Sequence, residues 1–205
     1  MVRPPGRAGR AILAGMSAPL HRPMTLDEFL AWEERQELRW EFDGVAPVAM
    51  TGGTFAHGLI AGNIIREIGN RLAGSPCRVV GSDVKIQAAW SIRYPDAFVV
   101  CSPVDVRATV VHDPVVVFEV LSDSTASTDR FAKNREYEAT PSIRRYVMLE
   151  QDRIGATVFA REPGGWLGRL LGEADTVAMP EIATSLPLAA LYAGLDLPAP
   201  PGGAT

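Results

Sequence analysis

Two acids and one lysine carry the chemistry available to this chain. Asp96 stands in Tyr94-Pro95-Asp96-Ala97-Phe98-Val99-Val100-Cys101, and Glu119 in Pro114-Val115-Val116-Val117-Phe118-Glu119-Val120-Leu121. Runs this rich in valine read as buried strands, where a carboxylate is costly unless it is paired or metal-bound. The lysine is Lys133, in Asp129-Arg130-Phe131-Ala132-Lys133-Asn134-Arg135-Glu136-Tyr137. The chain has 18 arginines and only two lysines, Lys85 and Lys133. A coding bias toward arginine is the bland cause. The sharper one is a need for lysine itself, a compact charge whose pKa burial can lower. Two carboxylates and an amine brought together point to a divalent-metal hydrolase site.

The elements must deliver that meeting. Alternation places Asp96, Phe98 and Val100 on one strand face, and Val115, Val117, Glu119 and Leu121 on one face of the later strand. Antiparallel pairing or an offset would set Asp96 beside Glu119. In the helix that follows, Asp129, Lys133 and Tyr137 share a face at i, i+4 and i+8, while Phe131 and Arg135 point elsewhere. The competing reading makes Asp96 a turn cap after Pro95, pairs Glu119 with an arginine, and leaves Asp129 and Lys133 as a solvated ion pair beside a core tyrosine.

Further candidates are weaker. Glu41, between Trp40 and Phe42, is either a third metal-directed carboxylate or an exposed strand glutamate. His57 opens a long helix, either as a histidine whose pKa that position lowers to leave it neutral or, the reading slightly favoured, as an ordinary polar residue at a helix start. Asp83 and Lys85 would face the same way in a strand, in the site or as a cross-strand ion pair. His21 and His112 fall in tail and loop, and no His/Cys cluster suggests zinc. Gly52-Gly53 lacks the Lys-Ser/Thr of a phosphate-cradling loop.

The periodicity predicts an α/β chain. Thr25-Leu26-Asp27-Glu28 is a capping box that starts a helix over about 26–35. Asp43-Gly44 signals a hairpin. Ile60, Ile64, Ile68 and Leu72 predict a helix over 55–73, stopped by Gly74. Strands are expected at about 78–88, 94–101, 114–121, 144–150, 154–161 and 166–171, with a helix at 128–139, a hairpin turn at Gly164-Gly165 and a short helix at 187–193. One mixed sheet flanked by helices is the expected architecture.

The 205 residues suit one domain. Residues 24–197 form it in this reading. Residues 1–23 read as a disordered or mis-started tail, with a signal peptide as rival and Met24 as the natural beginning; 198–205 read as a second disordered tail. Apolar content of 47% supplies a core, and no run approaches a membrane span. Cys77 and Cys101 suggest neither a disulfide framework nor a metal pair, and are expected as small buried hydrophobes in a reducing cytoplasm. Four arginines and no acid fall in residues 1–23, which leaves 16 basic and 24 acidic residues, a net of −8. Such a body is a poor non-specific binder of nucleic acid, though it suits an enzyme with a local cationic cleft.

Read in order, these fragments resemble a known family. Met24-Thr25-Leu26-Asp27-Glu28-Phe29, Trp40-Glu41-Phe42-Asp43-Gly44, His57-Gly58, Asp83-Val84-Lys85, Tyr94-Pro95-Asp96, Val117-Phe118-Glu119-Val120-Leu121-Ser122, Lys133 to Tyr137, and Tyr146-Val147-Met148-Leu149 are similar to the Uma-type restriction-endonuclease family. That family is a branch of the PD-(D/E)XK nuclease superfamily, and the resemblance covers about residues 24–195. It implies a restriction-endonuclease-like mixed central β-sheet flanked by helices. It implies Mg²⁺, or Mn²⁺, on Asp96 and Glu119, with Glu41 as an additional acid and a backbone carbonyl near Val120. Asp83 and His57 match secondary positions. Glu119-Val120-Leu121 carries leucine where the superfamily has its lysine, and the resemblance assigns that role to Lys133 in the next helix. It further implies a DNA substrate, with Arg130, Arg135, Arg144 or Arg145 on phosphates, and a homodimer. A nuclease fold kept as a non-catalytic binding or assembly module is the alternative.

Overall fold

The computed structural model describes residues 23–50, 52–121 and 127–197, with no side chains described at 127–129. Both predicted tails lie outside the described residues, apart from Pro23. In chain order the elements are α1 (Leu26–Glu33), β1 (Trp40–Phe42), β2 (Pro47–Ala49), α2 (Phe55–Arg71), β3 (Arg78–Gly81), β4 (Lys85–Ala88), β5 (Ser91–Arg93), β6 (Ala97–Val100), β7 (Val110–Val111), β8 (Val116–Val120), α3 (Ser127–Ala139), β9 (Arg145–Leu149), β10 (Gly155–Glu162), β11 (Gly165–Gly172), β12 (Thr176–Met179) and β13 (Thr184–Pro187). Short 3₁₀ turns follow β12 and β13.

The central sheet has six strands in the order β11-β10-β9-β8-β6-β3. It is mixed: β8 and β9 are parallel, joined through α3, and its other pairs are antiparallel. Helix α2 lays Ile60, Ile64, Ile68 and Leu72 against Ala97, Val99, Val116, Phe118 and Val120 on one face. On the other face Phe98, Val117, Leu121, Tyr146 and Met148 pack with Tyr137 of α3 and Ile86 and Ala88 of β4. Strand alternation thus separates two cores, and Glu119 belongs to the α3 side.

A second sheet, ordered β2-β1-β5-β4-β7, departs from the single sheet expected. The predicted strand over 78–88 is two strands in different sheets, because Gly81-Ser82-Asp83 turns the chain between β3 and β4. Helix α1 closes the second sheet through Phe29, Phe42 and Ile92. Its capping box is present: Thr25 Oγ1 accepts from the Glu28 N–H, and Glu28 Oε2 accepts from the Thr25 N–H. The Asp43-Gly44 turn also forms. Asp43 Oδ1 accepts from the Val45 and Ala46 N–H groups, and Gly44 takes φ +91°, which disfavours any residue with a Cβ.

The cysteines correct the sequence reading. Cys77 and Cys101 form a disulfide. The cause is register: Arg78 pairs with Val100 across β3 and β6, so the next residues outward, Cys77 and Cys101, face each other. No helix among the described residues is long and apolar enough to cross a membrane.

Candidate active site

Asp96 and Glu119 meet as antiparallel neighbours. Ala97 pairs with Phe118 across β6 and β8, so Asp96, one residue before β6, stands opposite Glu119. The same end of the sheet receives the start of α2, where His57 Nε2 lies 3.3 Å from Asp96 Oδ2. Thr54, which caps α2, donates to Gln151 Oε1 in the β9–β10 turn and closes that rim. The Val120 N–H donates to Asp96 Oδ2 at 2.7 Å, fixing the carboxylate from the neighbouring strand.

Lys133 reaches this end of the sheet from α3. Its ammonium lies 3.2 Å from Glu119 Oε1 and 3.6 Å from Glu41 Oε1. The side chain is buried, as is Tyr137 one turn later, whose hydroxyl donates to the same Glu119 oxygen at 2.9 Å. Phe131 and Arg135 are exposed, as the helical spacing predicts. Asp129 lies outside the residues whose side chains are described. Leu121, where the superfamily pattern has lysine, is packed in the core beside Tyr137 and Tyr146.

Glu41 is engaged at both oxygens. Arg93 Nη1 donates to Oε2 and the Tyr94 N–H to Oε1, each at 3.0 Å. Arg93 also makes a fork with Glu136, Nε to Oε2 at 2.8 Å and Nη2 to Oε1 at 2.7 Å, and Ser91 Oγ donates to Glu136 as well. Sequence reasoning missed Arg93 and Glu136. A signal existed for each: an arginine amid the apolar run Ile92-Arg93-Tyr94, and a glutamate three residues after Lys133.

Other candidates lie elsewhere. Asp83 is exposed and pairs with Arg39, away from the carboxylates. Lys85 is buried and bonded to Glu33 of α1 at 2.6 Å, so it is neither in the site nor paired across strands. Tyr94 completes that cluster by donating to Glu33 Oε1 at 2.8 Å. Arg144 and Arg145 lie at the start of β9 beside Val116, the end of β8 remote from Glu119, and Arg145 is held by Glu181.

Burial and the neighbouring charges shift three groups of the site. Burial pushes the Glu119 carboxyl up to about 7; the charges of Asp96 and Glu41 act in the same direction, against Lys133 and Tyr137. His57 corrects the expectation of a lowered pKa: the bond to Asp96 raises it above its ordinary value, although burial opposes it. Burial and the Glu119 charge hold the Tyr137 hydroxyl well above its usual range, so it remains a donor.

A divalent cation suits this donor set. Among the described residues no three His, Cys, Asp or Glu side chains converge as a metal cage. Magnesium does not need one: it is commonly bound by one or two carboxylates and completes its shell with water and substrate phosphate. Asp96 and Glu119 supply two hard oxygen donors, and a cation there would stabilise the ionised form of Glu119, which burial and the charges of Asp96 and Glu41 disfavour.

The mixed sheet with helices on both faces and this paired-carboxylate end define a protein of the restriction-endonuclease-like fold. The likeness extends to the crystal structure of "a putative nuclease belonging to DUF820" from Anabaena variabilis ATCC 29413, at TM-score 0.71 and 17% identity over 83% of this chain and 98% of that one. The chain belongs to the Uma2 family, described as "Putative restriction endonuclease", whose sequence pattern matches residues 26–190. Two Synechocystis sp. (strain ATCC 27184 / PCC 6803 / Kazusa) proteins are relatives. Uncharacterized protein slr1290 is 32% identical over 87% of this chain and 96% of its own length. Uncharacterized protein sll1609 is 26% identical over 62% of this chain and 75% of its own.

Proposed function

We propose that this protein is a metal-dependent endonuclease that hydrolyses DNA phosphodiester bonds. One observation carries the reading: the antiparallel register of β6 and β8 brings Asp96 opposite Glu119, near enough for the two charges to act on each other, with a buried lysine ammonium on Glu119. Family membership supports the reaction class.

Asp96 and Glu119 would hold Mg²⁺, with Mn²⁺ as a substitute. The ion supplies positive charge to a phosphate whose negative charge grows in the transition state. The chain's own residues do the rest. Lys133 offers N–H donors to the attacking water or a phosphate oxygen, replacing its present bond to Glu119. Tyr137 keeps Glu119 oriented through its hydroxyl. Glu41, bound on both oxygens, serves as a partner for Lys133 more readily than as a third ligand. His57 fixes Asp96, and the α2 N-terminus beside it favours an approaching anion. Arg135, exposed on α3, is available to a backbone phosphate. Cutting both strands of a duplex calls for two such sites, which a homodimer supplies.

Cleavage of supercoiled and linear duplex DNA with Mg²⁺ or Mn²⁺ tests this reading. The expected outcome is nicking or linearisation that chelator abolishes, that Asp96→Asn loses, and that Lys133→Ala slows by about a hundredfold or more. Equal cleavage by wild type and Asp96→Asn would overturn it.

A further inference from the structure

The geometry points to Arg93 as the positioning residue for Lys133, an assignment that rests on reading Asp96, Glu119 and Lys133 as the reacting centre. Lys133 is a long side chain, and its ammonium must stop at one place. Two things set that place: the acceptors it meets and the helix that carries it. Arg93 holds both.

The first arm runs through Glu41. Arg93 Nη1 holds Oε2 while the Tyr94 N–H holds Oε1, so the carboxylate cannot rotate without breaking a bond. It is thereby fixed with Oε1 3.6 Å from the Lys133 ammonium. The second arm runs through Glu136, three residues after Lys133 on α3. The fork from Nε and Nη2, with Ser91 Oγ, fastens this part of the helix to β5. One guanidinium therefore links β1, β5 and α3 beneath the site, while 2% exposed. A planar guanidinium with five donors makes a two-bond fork to Glu136 and a third bond to Glu41; an ammonium, whose three donors share one nitrogen, cannot reproduce the fork.

The test uses the scarcity of lysine. Protein labelled with ¹³C and ¹⁵N in lysine gives side-chain signals from Lys85 and Lys133 only, and Lys133→Arg assigns them. In Arg93→Lys, which keeps the charge but loses the fork, a third lysine signal appears and is assigned with the double variant Arg93→Lys/Lys133→Arg; the Lys133 signal is expected to move while Lys85 stays. Glu136→Gln, which weakens the helix arm alone, is expected to move it in the same sense and decides the matter if Arg93→Lys does not fold. Turnover on DNA is expected to fall about ten- to a hundredfold in kcat with little change in KM. A Lys133 signal at its wild-type position in a folded variant of either kind would overturn the assignment, as would wild-type kcat. Since the signals are read without metal or DNA, a wild type that cleaves nothing would sink the nuclease reading while the spectra still decide Arg93.

Discussion

The Lys133 ammonium lies 3.2 Å from Glu119 Oε1, across 14 residues of sequence and from a different element. A helix after β8, not the strand itself, brings the cation to the second acid. The β8–α3–β9 crossover makes this possible, because α3 returns over the face on which Glu119 projects. The superfamily's strand lysine position is filled by Leu121, which serves the core.

The two lysines should behave oppositely on substitution. Lys85→Met strands buried Glu33 without its countercharge, and should cost about 3–5 kcal/mol of stability with metal affinity unchanged. Lys133→Ala leaves Glu41 bound to Arg93 and Glu119 bound to Tyr137. Its stability loss should be the smaller and its loss of turnover the larger. Urea denaturation with parallel DNA cleavage assays measures both.

Tyr137→Phe keeps the ring that meets Tyr146 at 4.7 Å and removes only the hydroxyl bond to Glu119. A cost of about 1–3 kcal/mol is expected for that bond to a charged acceptor. The Glu119 carboxyl should rise further, because the lost bond favoured its ionised form. Carbon-13 NMR of labelled glutamate follows that rise.

Metal-free stability should fall as pH rises. The unfolded chain loses the Glu119 proton near 4.5, while the folded protein keeps it to about 7. Between those values the folded state binds more protons, so the Glu119 contribution declines across that window and is level above it. His57 adds a decline of the same sign. Its folded pKa is raised above 6.5, so its contribution is full below 6.5 and disappears as pH passes the raised value. Thermal melts in chelator should show both slopes, and Glu119→Gln should remove the lower one. Added Mg²⁺ should raise the melting temperature more at about pH 8 than at about pH 5.5, because protons compete for the same carboxylate.

Asp96→Asn retains an acceptor for the Val120 N–H, so the fold should persist. His57 should then titrate lower, since burial, which lowers it, is less opposed. Its ring proton resonance followed against pH gives the answer.

Much of this was written in the residues. The valine runs located the two strands, their alternation placed Asp96 and Glu119 on the correct faces, and the i, i+4 spacing joined Lys133 to Tyr137. Long-range pairing was not legible. Nothing local distinguishes antiparallel from offset pairing of β6 and β8. The run 78–88 looks continuous because valine and lysine flank its turn, which concealed the second sheet and, with it, the register that joins Cys77 to Cys101. Lys85 and Arg93 find Glu33 and Glu41 across 52 residues each, a distance over which charge patterning carries no signal.

Calorimetric titration with Mg²⁺ and Mn²⁺ of wild type, Asp96→Asn and Lys133→Ala tests the central claim most directly. Metal binding that survives in Lys133→Ala and vanishes in Asp96→Asn is the predicted result, since the carboxylates hold the ion and the ammonium does not. Equal binding by wild type and Asp96→Asn, or none by wild type at millimolar metal with DNA present, would contradict it.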